Sequence, residues 1–258
     1  MPLDCTVSLV VYNNPPEMLR KACESLFQTS LTIRLYVVDN SPTPALQPLF
    51  AEFPAEYHRA EYNLGYGQGH NLALRNAEPA RHHLIMNPDI IIHPGTLETL
   101  AARLDGNPDF GMVTPLIVNK DGSIQHLNKR YPAVFDLFAR RFLPTAAAAL
   151  FQDRLDRHEM KDQGYESSYD VECATGAFMY CRQEALAAVG SFDARYFMYF
   201  EDCDLSRKFQ QRGWRTVFCP EASVTHLWER ASYRDAKLTR IHIRSMFSYF
   251  NKWGWKWV

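Results

Sequence analysis

Between Cys5 and Val118 the chain alternates between two kinds of hydrophobic pattern. CTVSLVVY (Cys5–Tyr12), IRLYVVDNS (Ile33–Ser41), HHLIMN (His82–Asn87) and FGMVTPLIV (Phe110–Val118) are apolar runs rich in β-branched residues, and they predict buried strands. Between them, PPEMLRKACESLFQ repeats Met18, Leu19, Ala22 and Leu26 at helical spacing behind a proline suited to a first turn. LGYGQGHNLALRNA starts in glycines and becomes helical, and GTLETLAARL predicts a further helix. Strands and helices exchanging through short joints predict an α/β fold with a central, mostly parallel sheet flanked by helices. Ligands of such sheets bind outside the carboxyl ends of the strands. Here Asn13 and Asn14, then Asp39 and Asn40, then Asn87 and Asp89 follow three of those ends. Asn and Asp also start ordinary turns, but three polar strand ends on one edge predict a binding site.

Residues 119–170 mix polar stretches with two short helix-like pieces and predict an insertion or lid. VECATGAFMYCR then predicts a strand running up to QEALAAVG, and RTVFCP and ASVTHLW predict two short strands. Between these lies SFDARYFMYFEDCDLSRKFQQRGW, where Glu201, Asp202 and Asp204 open a helix with an apolar Leu205–Phe209 face and Gly213 at its end. Acids in a first turn cap a helix. The apolar run Phe197–Phe200 leading into them also supplies a wall that raises a carboxyl pKa and makes a base near neutral pH. In LIMNPDIII, Pro88 fixes its own φ and holds Asn87 extended, so Asp89 is presented in a defined direction. His226 closes a strand-like run, a position as compatible with structure as with function.

A net charge of −1 over 258 residues argues against a general nucleic-acid binder. The six cysteines contain no C-x-x-C pair, so reduced, buried thiols are expected rather than a zinc knuckle. Asp4 stands where a secretory leader would be basic, and no apolar stretch approaches the ~20 residues of a membrane span, so a cytoplasmic location is expected.

Six segments in order, VSLVVYNN, VVDNS, NLGYGQGHNLAL, LIMNPDIIIHPG, ATGAFMYCRQEALAAVGSFDARYFMYFEDCDLSRKFQQRGW and VTHLWERAS, resemble the motifs of family-2 inverting glycosyltransferases with the GT-A (Rossmann-like) fold. The NPD and FMYFEDCDL forms are most similar to the bacterial rhamnosyltransferase-like branch. The resemblance implies one domain over 1–230 and a separate tail over 231–258. It places Asp89 at the metal-binding position of a D-x-D motif, with Asn87 replacing the first Asp, and His226 as a second ligand for Mg²⁺ or Mn²⁺. Asp202, with Glu201 beside it, falls at the general base. Tyr12, Asn13 and Asp39 fall at nucleoside contacts, Asn63, Gly65, Gly69 and Asn71 in a glycine-rich loop beside the nucleotide, and Gly176 near the donor sugar and acceptor. The implied reaction moves a sugar, L-rhamnose from dTDP-L-rhamnose, onto a saccharide acceptor on a polyprenyl lipid during bacterial surface polysaccharide synthesis. UDP- or GDP-sugars are the nearest alternative donors. A non-catalytic nucleotide-sugar-binding protein of the same fold is a second class, and a nucleotidyltransferase is disfavoured because YNNPPEM is no triphosphate loop.

Beyond Asp235 the tail holds basic residues and Phe247, Tyr249, Phe250, Trp253, Trp255 and Trp257, but no acid. Ile243, Phe247 and Phe250 are expected on one helical face. Such a helix suits the anionic inner face of the cytoplasmic membrane. Packing on the catalytic domain, or on a second subunit in a homodimer, is the other reading.

Overall fold

A computed structural model describes residues 3–142, 149–227 and 236–258. The last residues of the VTHLWERAS motif and most of the alanine run at 146–149 lie outside the described residues. In chain order the elements are β1 (Leu3–Val11), α1 (Pro16–Leu26), β2 (Ile33–Asp39), α2 (Gln47–Phe50), β3 (Ala55–Arg59), α3 (Tyr66–Asn76), β4 (Ala80–Met86), β5 (Ile90–Ile92), α4 (Thr96–Asp105) and β6 (Phe110–Val118). There follow α5 (Val134–Phe142), α6 (Gln152–His158), β7 (Phe178–Arg182), α7 (Gln183–Ala188), α8 (Glu201–Gln211), β8 (Arg215–His226) and α9 (Ala236–Trp253).

The strands form one sheet in the order β3-β2-β1-β4-β7-β6-β8-β5. β7 and β5 run against the other six, so the sheet is mixed, with a parallel half formed by β1 to β4. Only Asn87, Pro88 and Asp89 separate β4 from β5, although three strands lie between those two in the sheet. Four residue steps span at most about 14 Å, whereas four strand spacings in a flat sheet measure about 19 Å. The sheet therefore curls, which brings the ends of β4 and β8 together. The two strands expected over RTVFCP and ASVTHLW are a single strand. Cys219 pairs with Pro115 and Ser223 with Leu116, so Pro220–Ala222 loop out, at a proline that has no N–H for the ladder.

Alternating side chains bury both faces. Leu84 and Met86 of β4, with Phe178 and Tyr180 of β7, join Leu19, Leu26, Leu97 and Leu100 in one cluster. Ile85, Met179 and Cys181 point the other way, to Leu186, Leu205 and Phe209. All six cysteines are free and buried. In α3, Gly69 lets the helix settle on β1, since a Cβ there would stand 2.8 Å from Val10 Cγ2.

A polar chain crosses this interior. His83 Nδ1 and Nε2 lie 2.8 Å from Thr6 Oγ1 and 3.0 Å from Ser8 Oγ, and Ser8 Oγ lies 2.7 Å from His70 Nδ1. Burial lowers the pKa of both histidines to about 3. They are neutral in the fold but accept protons in the unfolded chain near pH 6.5. Their share of stability is therefore complete above pH 6.5 and is lost as the pH falls toward 3. Each costs about 1.4 kcal/mol per pH unit, or on the order of 4 kcal/mol for the pair by pH 5. Urea unfolding at pH 7 and pH 5 should show that loss; equal midpoints would contradict it.

The tail helix packs against α8. Tyr249 and Phe250 are buried in a cluster with Tyr196, Phe200 and Cys203. Ile243, Phe247 and Phe250 share one face of this helix, the first two exposed and Phe250 covered by the Trp255 ring 5.2 Å away. No helix among the described residues is long and apolar enough to cross a membrane.

Candidate active site

Asp89 ends the tight turn that carries the chain from β4 into β5. Its carbonyl accepts the Leu227 N–H at 2.9 Å, and Ile90 pairs with His226. This register sets the carboxylate beside the imidazole, with Asp89 Oδ1 3.3 Å from His226 Nε2. The ring is oriented from behind. Gln125 donates through Nε2 to the His226 carbonyl at 3.0 Å and to Asn119 Oδ1 at 2.6 Å. Its Oε1 is thereby left to accept from His226 Nδ1 at 2.9 Å, which orients the ring with Nε2 toward Asp89. Asp89 Oδ1 is buried with no hydrogen-bond partner among the described residues. A carboxylate oxygen and an imidazole nitrogen that face each other in this way are a pair of donors that one cation can bridge.

The second carboxylate arrives from α8. Tyr199 and Phe200, both left-handed with φ of 72° and 67°, turn the chain sharply into the helix. Such conformations cost non-glycine residues energy and gather at functional sites. Asp202 is held by the Cys203 N–H on Oδ1 at 2.8 Å and by the Gly176 N–H on Oδ2 at 3.1 Å. Gly176 in turn accepts the Tyr66 hydroxyl, and a Cβ on it would stand 3.0 Å from that oxygen. The next residue, Ala177, accepts the Asn87 N–H at 2.9 Å. Segment 176–177 thus ties the Asp202 side of the site to the Asn87-Pro88-Asp89 turn. Glu201 is buried, and its pKa is raised well above the usual carboxylate range by burial and by the neighbouring Asp202. A cavity of about 280 Å³ opens on Glu201 and Asp202.

A family model described as "Glycosyltransferase like family 2" matches residues 10–247. The chain belongs to this family. It is 28% identical over 249 residues to the N-acetylglucosaminyl-diphospho-decaprenol L-rhamnosyltransferase of Mycobacterium tuberculosis, covering 89% of this chain and 78% of the relative. Against the rhamnosyltransferase WbbL of Escherichia coli it is 22% identical, covering 93% of this chain and 90% of that protein. Among solved structures, GalNAc-T7 with UDP, GalNAc and Mn²⁺ superposes at a TM-score of 0.67 and 16% identity over 89% of this chain. The chain spans only 44% of that protein, and the likeness shows the GT-A fold.

A divalent ion fits what this family 2 glycosyltransferase offers. The buried, unsatisfied Asp89 oxygen and the directed His226 nitrogen are a hard carboxylate and an imidazole, donors that suit Mg²⁺ or Mn²⁺. No group of three or more His, Cys, Asp or Glu that could hold a metal occurs among the described residues, so further ligands would come from the substrate or solvent.

The other expected site residues divide into two sets. Tyr12 and Asn13 are exposed at the β1 end, Asn13 with φ of 51° and its N–H on Ser41 Oγ at 2.8 Å. They border the open edge of the sheet. Asn63 accepts the Gly65 N–H at 2.8 Å, and a Cβ on Gly65 would meet the Phe197 carbonyl at 2.1 Å, so this loop is clamped on the strained segment before α8. Asp39 is fully buried, with Oδ1 on the Ser41 N–H at 2.8 Å and Oδ2 on the Tyr57 hydroxyl. A nucleoside contact there requires exchange with Tyr57. Gly69 and Asn71 depart from the expected nucleotide loop. Gly69 packs on Val10, and Asn71 holds both the N–H and the carbonyl of Phe192, at 3.0 and 2.8 Å. Both lie inside α3, where they fit packing and clamping better than ligand contact.

Sequence reasoning missed Gln125 and Tyr66. Gln125 lies in an aperiodic polar stretch and meets a histidine 101 residues away, so no local pattern marks it. Tyr66 stood within the glycine-rich motif, but its partner Gly176 is 110 residues distant.

Proposed function

We propose that this protein transfers L-rhamnose from dTDP-L-rhamnose, with inversion, to a saccharide acceptor on a polyprenyl diphosphate lipid at the inner face of the cytoplasmic membrane, in surface polysaccharide synthesis. The observation carrying this reading is the tie, through segment 176–177, between a held carboxylate at Asp202 and the Asp89–His226 pair. The donor and lipid follow the names of the two rhamnosyltransferase relatives. Asp89 and His226 would hold a Mg²⁺ or Mn²⁺ ion, and that ion would stabilise charge on the departing nucleoside diphosphate.

The protein's own part is acid–base chemistry and positioning. Burial and the neighbouring Asp202 raise the Glu201 pKa well above the usual carboxylate range, which disfavours its charged form. Asp202 is therefore the member of the pair that takes the proton from the acceptor hydroxyl. The acceptor oxygen bonds to the anomeric carbon from one face as the bond to the diphosphate oxygen breaks on the other. The configuration inverts, and the electron pair leaves with the nucleoside diphosphate. Two backbone N–H groups fix the direction of the Asp202 carboxylate, so little reorganisation accompanies the step. Exposed Ile243, Phe247, Trp255 and Trp257 beside Arg240, Arg244 and Lys256 support contact with an anionic membrane surface.

Calorimetric titration with dTDP, UDP and GDP, with and without Mn²⁺, tests the donor reading without an acceptor. The expected result is Mn²⁺-dependent binding tightest for dTDP and at least ~10-fold weaker in Asp89→Ala. Tighter binding of UDP or GDP would replace the donor, and metal-independent binding of all three would remove the ion from the account.

A further inference from the structure

The cavity at Asp202 has walls that the proposed chemistry leaves unexplained. One comes from residues 127–137 and His158, another from Leu238 and His242 of α9, and the floor from 173–175 and 199–203. Lys129 is fixed in this wall by a two-way backbone bridge to Cys173, with N–H···O distances of 3.1 and 2.9 Å. Lys129 and Cys173 both line the cavity, and burial raises the Cys173 pKa while the Lys129 charge lowers it. The adjacent Arg130 is spent, since its guanidinium grips Asp162 through two bonds of 2.8 Å. Lys129, by contrast, has no ion-pair or side-chain hydrogen-bond partner among the described residues. Leu137 and Leu238 supply an apolar border.

We propose that Lys129 binds a phosphate of the acceptor, so that this cavity selects acceptors carrying an anionic phosphodiester or diphosphate next to the sugar. The proposal rests on the acceptor reading above and deepens it. An occupant matching all three surfaces presents a hydroxyl to Asp202, an anionic phosphate to Lys129 and hydrocarbon to Leu137 and Leu238. A sugar joined through phosphate to a lipid has these parts in that order. An ammonium in the wall of a partly enclosed cavity attracts a phosphate more strongly than it would in open water. Because the segment holding Lys129 lies within 119–170, that segment becomes a wall of the acceptor site.

Full-length protein should be titrated with farnesyl-diphospho-N-acetylglucosamine and with octyl N-acetylglucosaminide, which lacks both phosphates. Wild type is expected to bind the diphosphate probe about tenfold or more tighter than the glycoside. Lys129→Gln should lose that preference while holding the glycoside as wild type does, and Lys129→Arg should retain it. Thermal midpoints matching wild type would show that the variants are folded. Equal weakening of both probes in Lys129→Gln, an unchanged preference, or no preference in wild type would each overturn the proposal. Transfer assays on the same probes separate the two claims. Absence of transfer from any nucleotide sugar, with the Lys129-dependent preference intact, would remove the transferase reading and leave the phosphate site standing.

Discussion

Asp202→Asn lowers kcat by roughly 10²- to 10⁴-fold, the range for loss of a positioned general base, and leaves the affinity for nucleotide nearly unchanged. The asparagine has the same shape and keeps one acceptor for the Cys203 and Gly176 N–H groups that hold the carboxylate. The loss then reflects the missing base rather than a collapsed α8. A fall in kcat and kcat/KM together, with an unaltered donor constant, is the signature of an interaction made in the transition state. Glu201→Gln provides the contrast. Glu201 is buried and its pKa is raised well above the usual range by burial and the Asp202 charge, so the neutral glutamine suits a site that disfavours charge. Its effect should stay within about tenfold, far short of Asp202→Asn. If the two variants exchange magnitudes, the roles within the pair are reversed.

Asp204→Ala should destabilise the fold by about 3–5 kcal/mol, the cost of removing one partner from a buried ion pair. Asp204 is fully buried. It receives Lys252 Nζ at 2.6 Å, Trp253 Nε1 at 2.7 Å and the Tyr196 hydroxyl at 3.2 Å. Removing the carboxylate leaves Lys252 with Asp193 alone, 2.8 Å away, and leaves an indole N–H and a hydroxyl without this acceptor beside an apolar cluster containing Phe200 and Tyr249. Urea unfolding followed by tryptophan fluorescence measures the loss. A double variant, Asp204→Leu with Lys252→Met, should recover only part of it, because the Trp253 N–H and the Tyr196 hydroxyl still lack their acceptor and Asp193 loses its bond to Lys252. A single-variant loss below about 1 kcal/mol, the level of an exposed pair, would mean that the tail is not anchored through this carboxylate. Since Asp204 sits two residues beyond Asp202, loosening the tail should also reduce turnover.

The sequence pattern announced the strands and helices of the first half because β-branched runs and helical spacing are local signals, and β1, β2, β4, β6, α1, α3 and α4 all fall where it placed them. It also marked Asp89, Asp202 and His226, since each lies at a strand end or in a first helical turn. Strand direction is not written in hydrophobic pattern, so neither the reversal of β7 and β5 nor the curl joining Asp89 to His226 was legible. Partners far apart in sequence were invisible for the same reason. Asp204 looked like a capping acid until Lys252, 48 residues later, was seen to meet it. The tail pattern left packing and membrane contact both open, and the helix does pack: its buried arc runs through Ser245 and Tyr249, with Phe250 at the edge covered by Trp255, which lies beyond the helix.

The most direct measurement is to incubate the protein with dTDP-L-rhamnose, Mn²⁺ and farnesyl-diphospho-N-acetylglucosamine, and to read the anomeric configuration of any disaccharide product by NMR. The account predicts a rhamnosylated product with the configuration opposite to the donor's, formed by wild type and absent with Asp202→Asn. A product that retains the donor configuration, or one formed equally well by Asp202→Asn, would contradict a single displacement with Asp202 as its base.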